Sequence, residues 1–349
     1  MTQPPPEIIC RPSAWVGKEM EKNPDIWLKN LSSDEIDELE KAADNFLSSS
    51  LSIGNLSKEN FPLPILEKRL TKLKDTLING IGFEVIRGLP ITKYSQEKAA
   101  IIFCGIGVYL GSARSQNAAG HILGHIRNIG ADAKDVNTRI YQTADRQTFH
   151  TDSADIVGLM CLKTANRGGG SLLVSTETIY NEMNRRRSDL LKLLFEPIAT
   201  DRRGEVPEGE EPFFSIPVFN WHKGKLTGMY QRQYIESAQR FMNAKRLSEA
   251  HIEALDLFDE IANDPMLHMR MELKPGDLQF VYNHSQLHDR EGFEDHPELD
   301  NRRHLYRLWL SPEGDRELPD CFKERYGSIK VGNRGGIMTA NTKLTFEIS

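Results

Sequence analysis

From about residue 139 onward the chain breaks into short β-forming runs, RIYQT, FHTDSADIVGLMCL, SLLVST, LHMRMEL, LQFVYN and RRHLYRLWL, with helical inserts near 178–195, 232–241 and 247–262. This rhythm constrains the fold most. Strands separated by turn residues, with helices grouped around them rather than alternating with them, favour an α+β chain whose core is an antiparallel sandwich or barrel. The first half reads differently. Ser32 and Glu35 form a Ser-x-x-Glu capping box ahead of the stripe Ile36, Leu39, Ala43 and Phe46, which predicts a half-buried helix. A second stripe, Ile65, Leu66, Leu70, Leu73 and Leu77, stops at Gly80 and leads into GFEVIRGLP, where Phe83 and Val85 alternate as in a strand. The run from Ser95 to Leu110 is apolar on nearly every side and predicts a helix buried against a sheet.

No repeat or long polar linker divides the chain, so 1–349 is expected to form one domain, with a proline-rich N-terminal arm over 1–12 and a C-terminal tail over 312–349. The closing TKLTFEIS is β-forming and is expected to return as a lid or an edge strand. With 39% hydrophobic and 27% charged residues, and no apolar stretch of membrane-spanning length, no membrane role is expected. The net charge is -6 and basic residues are not gathered in runs, so the expected partner is a small-molecule substrate rather than nucleic acid. Cys10, Cys104, Cys161 and Cys321 lie far apart and read as free thiols, and MTQPPPEIIC has no secretory pattern. A cytoplasmic location is expected by default. The sequence leaves the oligomeric state open, a homodimer included.

A mononuclear Fe(II) site of the facial type needs two imidazoles and one carboxylate on one side of the ion, with His-x-Asp/Glu as its local signature. Ten histidines and 50 acidic residues make roughly one match expected by chance, and three occur. His251-Ile-Glu253 lies in a helical pattern, where residues two apart diverge, and reads as a surface helix pair. His296-Pro-Glu298 lies in a polar loop. His150-Thr-Asp152 opens an apolar, strand-like run in which residues two apart face the same way, so both side chains can converge on one ion.

For the third ligand, MELKPGDLQFVYNHSQLHDREGF offers His284 and His288, and either can reach. In the RRHLYRLWL run, Arg303 and Arg307 are four apart and share a face with Leu305 and Trp309. Two guanidiniums on an otherwise apolar face point inward, toward a buried anion. These stretches, with PSAWVGKEM, GHIRNIG, RGGGSLLVS, RRGEVPEGEEPFF and RGGIMTANTKL, occur in an order that resembles the taurine dioxygenase-like (TauD/TfdA, clavaminate synthase-like) oxygenases over most of the chain.

The resemblance implies a double-stranded β-helix, or jelly-roll, core with surrounding helices. It implies His150 and Asp152 as proximal and His288 as distal iron ligands, with His284 in a supporting role. Fe(II) is the implied cofactor, and 2-oxoglutarate and O2 are the implied cosubstrates. Arg303 matches the arginine that holds the distal carboxylate of 2-oxoglutarate, Ser171 falls where a threonine commonly helps it, and Arg307 matches a second arginine that reaches substrate or cosubstrate. Asp289 stands where the family often has Gly or Ala. The implied reaction is oxidation of an unactivated C–H bond of a small, carboxylate- or amino-acid-like substrate or a specialised metabolite, with release of succinate and CO2. The outcome is hydroxylation, or desaturation or ring closure. Gln116, Asn117, Tyr141, Gln142 and Phe149 are the candidate substrate contacts. A jelly roll holding a structural metal, without 2-oxoglutarate chemistry, is the rival reading.

Overall fold

The computed structural model describes residues 4–132 and 138–348, so the first three residues of the arm and the last of the tail lie outside it. Two sheets organise it. Their strands are Leu28–Asn30 (β1), Phe83–Arg87 (β2), Ser112–Arg114 (β3), Leu123–Ile126 (β4), Gln147–His150 (β5), Ile156–Lys163 (β6), Ser171–Ser175 (β7), Met269–Met271 (β8), Leu278–Tyr282 (β9), Gln286–Arg290 (β10) and His304–Ser311 (β11). The seven-stranded sheet runs β1-β2-β9-β6-β11-β3, with β4 also on β11, and only β1 and β2 pair in parallel. The four-stranded sheet runs β8-β7-β10-β5 and is antiparallel throughout.

Three helices cover the outer face of the larger sheet, Ser33–Leu47 (α1), Glu67–Ile78 (α2) and Gln96–Leu110 (α3). The expected capping box is present at the start of α1, where Glu35 N–H donates to Ser32 Oγ and Ser32 N–H donates to Glu35 Oε2. Leu39, Ala43, Phe46, Leu70, Leu73 and Leu77 join one core with Tyr306, Leu308 and Leu310 from the outer face of β11. Helix α3 is buried on nearly every side, and Gly105 lets it approach Phe61, whose ring lies 2.4 Å from where a Cβ would stand. Ile65 departs from its predicted stripe and is exposed, because the helix begins after it at Glu67.

Thr176–Leu193 (α4) and Glu249–Ala262 (α5) close the outer face of the smaller sheet. There Phe149, Leu172, Val174 and Leu287 pack with Ile179, Met183, Leu255 and Phe258. The inner faces of the two sheets therefore carry the opposite residues of the same strands: His150, Ser171 and His288 on one side, Leu305, Arg307 and Trp309 on the other.

Three strand expectations need correction. RIYQT holds a single 3-10 turn, Ile140–Gln142, and FHTDSADIVGLMCL is two strands separated by residues 151–155 rather than one. The His288 segment, outside the β-forming runs given above, is itself the strand β10, paired on both sides. The TKLTFEIS segment does return to the body: Thr345 bridges His121, and Tyr306 Oη donates to the Ile348 carbonyl at 3.2 Å. The four cysteines are free. Among the described residues no helix is long and apolar enough to cross a membrane.

Candidate active site

Strand pairing brings the ligand candidates together. His150 and His288 are direct partners across β5 and β10, with ring centroids 4.1 Å apart. A bulge follows, since Gln147 rather than Thr148 opposes Arg290, and this extra residue turns Gln147 into the site. Asp152 lies past the end of β5, so the strand geometry expected for His-x-Asp does not place it. Asn283 does: its Oδ1 accepts from Asp152 N–H at 2.8 Å, and its Nδ2 donates to the carbonyls of Asp152 at 2.6 Å and Ala154 at 2.8 Å. One ligand atom from each of His150, Asp152 and His288 falls within 4.8 Å of the others.

The protonation states suit a divalent cation. His150 Nδ1 pairs with the Thr148 carbonyl at 2.8 Å, which assigns the proton to Nδ1 and leaves the Nε2 lone pair facing inward, where it accepts from Gln147 Nε2 at 2.9 Å. Burial, with His288 beside it, pushes the His150 pKa down to about 3, so the ring is neutral. Burial alone would raise the Asp152 carboxyl. The Arg307 guanidinium and His288 outweigh it and hold Asp152 well below the usual carboxylate range. Arg307 Nη1 lies 3.2 Å and Trp309 Nε1 2.9 Å from Asp152 Oδ2. Trp309, expected as part of an apolar face, thus donates to the Asp152 carboxylate.

Arg303 and Ser171 sit in the cavity that also reaches His150, His288, Leu159 and Leu305. Arg303 Nη1 is buried with no hydrogen-bond partner, and burial pushes the guanidinium pKa down to about 10. Its neighbour Arg290 is in the same condition, with Nε and Nη1 buried and unpartnered, and is pushed down to about 9 by burial and by Arg303. Two under-satisfied guanidiniums facing one cavity are a receptor for an anion that the described residues do not supply. The glycine-rich loop makes room: Gly169, at φ +75°, would bring a Cβ within 3.2 Å of Arg303 Nε.

The substrate candidates separate. Tyr141 lines both cavities beside the ligands, its ring 4.9 Å from the Arg307 guanidinium. Gln116 is buried and acts on Arg307 instead: its Oε1 accepts from Arg307 Nε at 2.7 Å, and its Nε2 donates to the Arg307 and Ile122 carbonyls. Asn117 closes a turn with His121, and Phe149 belongs to the core behind β5. Gln142 lies in the 3-10 turn and lines neither cavity. Asp289, the departure from the family pattern, is paired with Arg146.

His284 has a structural place. It contacts Asp155 Oδ1 at 2.7 Å, and Arg334 joins Asp155 Oδ1 to Asp315 Oδ2 at 2.8 Å each. Asp155, His284 and Asp315 are close enough to share an ion, but the Arg334 guanidinium already fills their centre. His251 lies on α5 as expected, though buried rather than on the surface, bonded to Ser248 Oγ.

Two imidazoles, a carboxylate and an unpaired buried arginine between the sheets of a jelly roll define the class of Fe(II)- and 2-oxoglutarate-dependent oxygenases. Comparison with known proteins agrees. Residues 49–309 match the model of the "Taurine catabolism dioxygenase TauD, TfdA family", and the chain belongs to that family; it is an Fe(II)- and 2-oxoglutarate-dependent dioxygenase. It is 31% identical over 333 residues to FR-33289 synthase of Streptomyces rubellomurinus, covering 93% of this chain and 98% of that one. It is 34% identical over 319 residues to the taurine hydroxylase-like protein SAT17 of Stachybotrys chartarum, covering 86% and 81%. Among solved structures, asparagine oxygenase with Fe(II), 3-hydroxyasparagine and succinate superposes at a TM-score of 0.63 with 16% identity, covering 81% of this chain and 93% of that chain. The non-haem iron oxygenase OrfP with Fe and alpha-ketoglutaric acid superposes at 0.61 with 14% identity and the same coverage. At these identities the structures establish the shared fold.

Proposed function

We propose that His150, Asp152 and His288 hold the iron, that Ser171 and Arg303 receive the distal carboxylate of 2-oxoglutarate, and that residues 1–349 act as one catalytic unit on a small amino-acid- or carboxylate-like substrate. One observation carries the assignment: three ligand atoms converge, and two of the residues that bear them, His150 and His288, share a cavity with a buried guanidinium whose Nη1 has no partner among the described residues. A structural metal would leave Arg303 without a purpose. Iron and 2-oxoglutarate together supply the oxidising power for a C–H bond, with succinate and CO2 as co-products.

The chain's own residues bind and orient. The Thr148 carbonyl keeps the His150 Nε2 lone pair inward, and Arg307 and Trp309 keep Asp152 ionised and fixed in rotamer. Arg303 presents a planar fork suited to bidentate capture of a carboxylate. Val157, Leu159 and Leu305 give the cosubstrate cavity an apolar wall that excludes water. A second cavity, which meets the first at Tyr141, Gln147, His150 and Arg307 and is further lined by Thr200, Met229, Tyr230 and Tyr234, would take the substrate. The hydroxylated asparagine and arginine named with the two solved oxygenases support an amino-acid-like substrate, and hydroxylation is its simplest outcome.

The ligand set is tested by anaerobic Fe(II) binding to metal-free protein. One Fe(II) per chain is expected, lost in His150→Ala and in His288→Ala and kept in His251→Ala and His296→Ala. Retention of full iron binding in both ligand variants would refute the assignment.

A further inference from the structure

The substrate-side cavity contains a cation that the reaction described so far does not use. Arg325 lies in the short helix Lys323–Tyr326, in the tail beyond β11, and lines this cavity with His150, Asp152 and Arg139. Its Nε donates to Ser153 Oγ at 2.7 Å, one residue from a proposed iron ligand, and its guanidinium carbon stands 5.3 Å from the Phe214 ring centroid. Three other arginines of this region are matched with carboxylates: Arg307 with Asp152, Arg139 with Glu205, and Arg202 with Glu210. Arg325 has no carboxylate partner among the described residues.

The surroundings sharpen the mismatch. Desolvation in the cavity pushes its pKa down to about 9, and the cations Arg139 and Arg202 push the same way against smaller opposing effects of Tyr234 and Tyr326. Arg203, whose guanidinium stacks on Tyr234 at 4.9 Å, adds a further positive charge without a carboxylate partner among the described residues. A half-buried guanidinium among cations is under-satisfied unless something anionic meets it in the working complex. With Nε taken by Ser153, both Nη groups remain to offer a two-pronged face to an oxyanion. Arg307 cannot supply this, because its Nη1 and Nε are committed to Asp152 and Gln116.

We propose that Arg325 is the anion-recognition residue of the substrate site: it receives an oxyanion group of the substrate and so sets which carbon is presented to the iron. This rests on the reading of the iron site above, and it restricts the substrate to molecules that carry an oxyanion besides the carbon to be oxidised. The residue would act on substrate binding and leave the cosubstrate cavity untouched.

The test is calorimetric titration of butyrate, propylphosphonate and butyramide into protein loaded anaerobically with Fe(II) and 2-oxoglutarate, for wild type, Arg325→Gln and Arg325→Lys. At least one of the two anions is expected to bind wild type tenfold or more tighter than butyramide. The preference should be lost in Arg325→Gln and partly kept in Arg325→Lys, with 2-oxoglutarate affinity the same in all three. Anions binding no better than butyramide to wild type, or an undiminished preference in Arg325→Gln, would overturn the proposal. Failure of wild type to take up 2-oxoglutarate would instead refute the iron-site reading. The same titration on metal-free protein then still decides the role of Arg325.

Discussion

Replacing Arg303 by methionine separates function from stability, because the two should move in opposite directions. The guanidinium is 5% exposed, its Nη1 has no partner, and it rests over the Phe293 ring at 5.2 Å. A buried donor without a partner costs about 1–3 kcal/mol, and the cation–π contact returns about 0.5–2 kcal/mol. Arg303→Met keeps the apolar stem, so the cosubstrate-free protein should gain on the order of 1 kcal/mol, a rise of roughly 2 °C in Tm for a chain of this size. Binding should suffer. Losing one partner of a buried charge pair costs about 2–5 kcal/mol, which weakens 2-oxoglutarate by roughly 30- to 3,000-fold at about 1.4 kcal/mol per factor of ten. Calorimetric titration of 2-oxoglutarate into the anaerobic Fe(II) protein and a melt of the same variant read both effects. A loss under threefold in affinity, or a Tm lowered by several degrees, would refute the reasoning.

Arg334 gives the converse case: it is fully buried between Asp155 and Asp315, so Arg334→Met should strand two carboxylates and cost about 3–5 kcal/mol in urea unfolding. A loss under about 1 kcal/mol would show that the network is not what fastens the tail. His304, stacked on His125, has its pKa pushed down to about 3 by burial and then by His125, against 6.5 when exposed. Only the unfolded chain takes up this proton between those values, so stability is full above pH 6.5 and falls by about 1.4 kcal/mol per pH unit as pH drops toward 3. Between pH 7 and 5, His304→Phe should lose about 2 kcal/mol less than wild type in urea melts; parallel curves would contradict this.

Periodicity made the helices legible. The Ser32 box, the Leu70–Leu73–Leu77 stripe and the largely apolar 96–110 run were readable because local capping and burial decide those elements. The shared inner face of Leu305, Arg307 and Trp309 was equally legible from alternation along one strand. The break at 151–155 was not, because a loop held by Asn283 from a distant strand leaves no local signature. The donor role of Trp309, the place of Gln116 against Arg307 and that of Phe149 behind β5 were not legible either, because each depends on which distant segment packs against the side chain. Arg325 carried no signal at all, since only the folded tail brings it beside Ser153.

The central claim is that one cavity between the sheets binds iron and 2-oxoglutarate together. Its most direct test is the visible charge-transfer band of chelated 2-oxoglutarate, recorded on wild-type, His150→Ala and Arg303→Met protein with Fe(II) under strict anaerobiosis. The account predicts a band in wild type, none in His150→Ala, and a band in Arg303→Met only at much higher 2-oxoglutarate. No band in wild type at saturating iron and 2-oxoglutarate, or an unchanged band in His150→Ala, would contradict it.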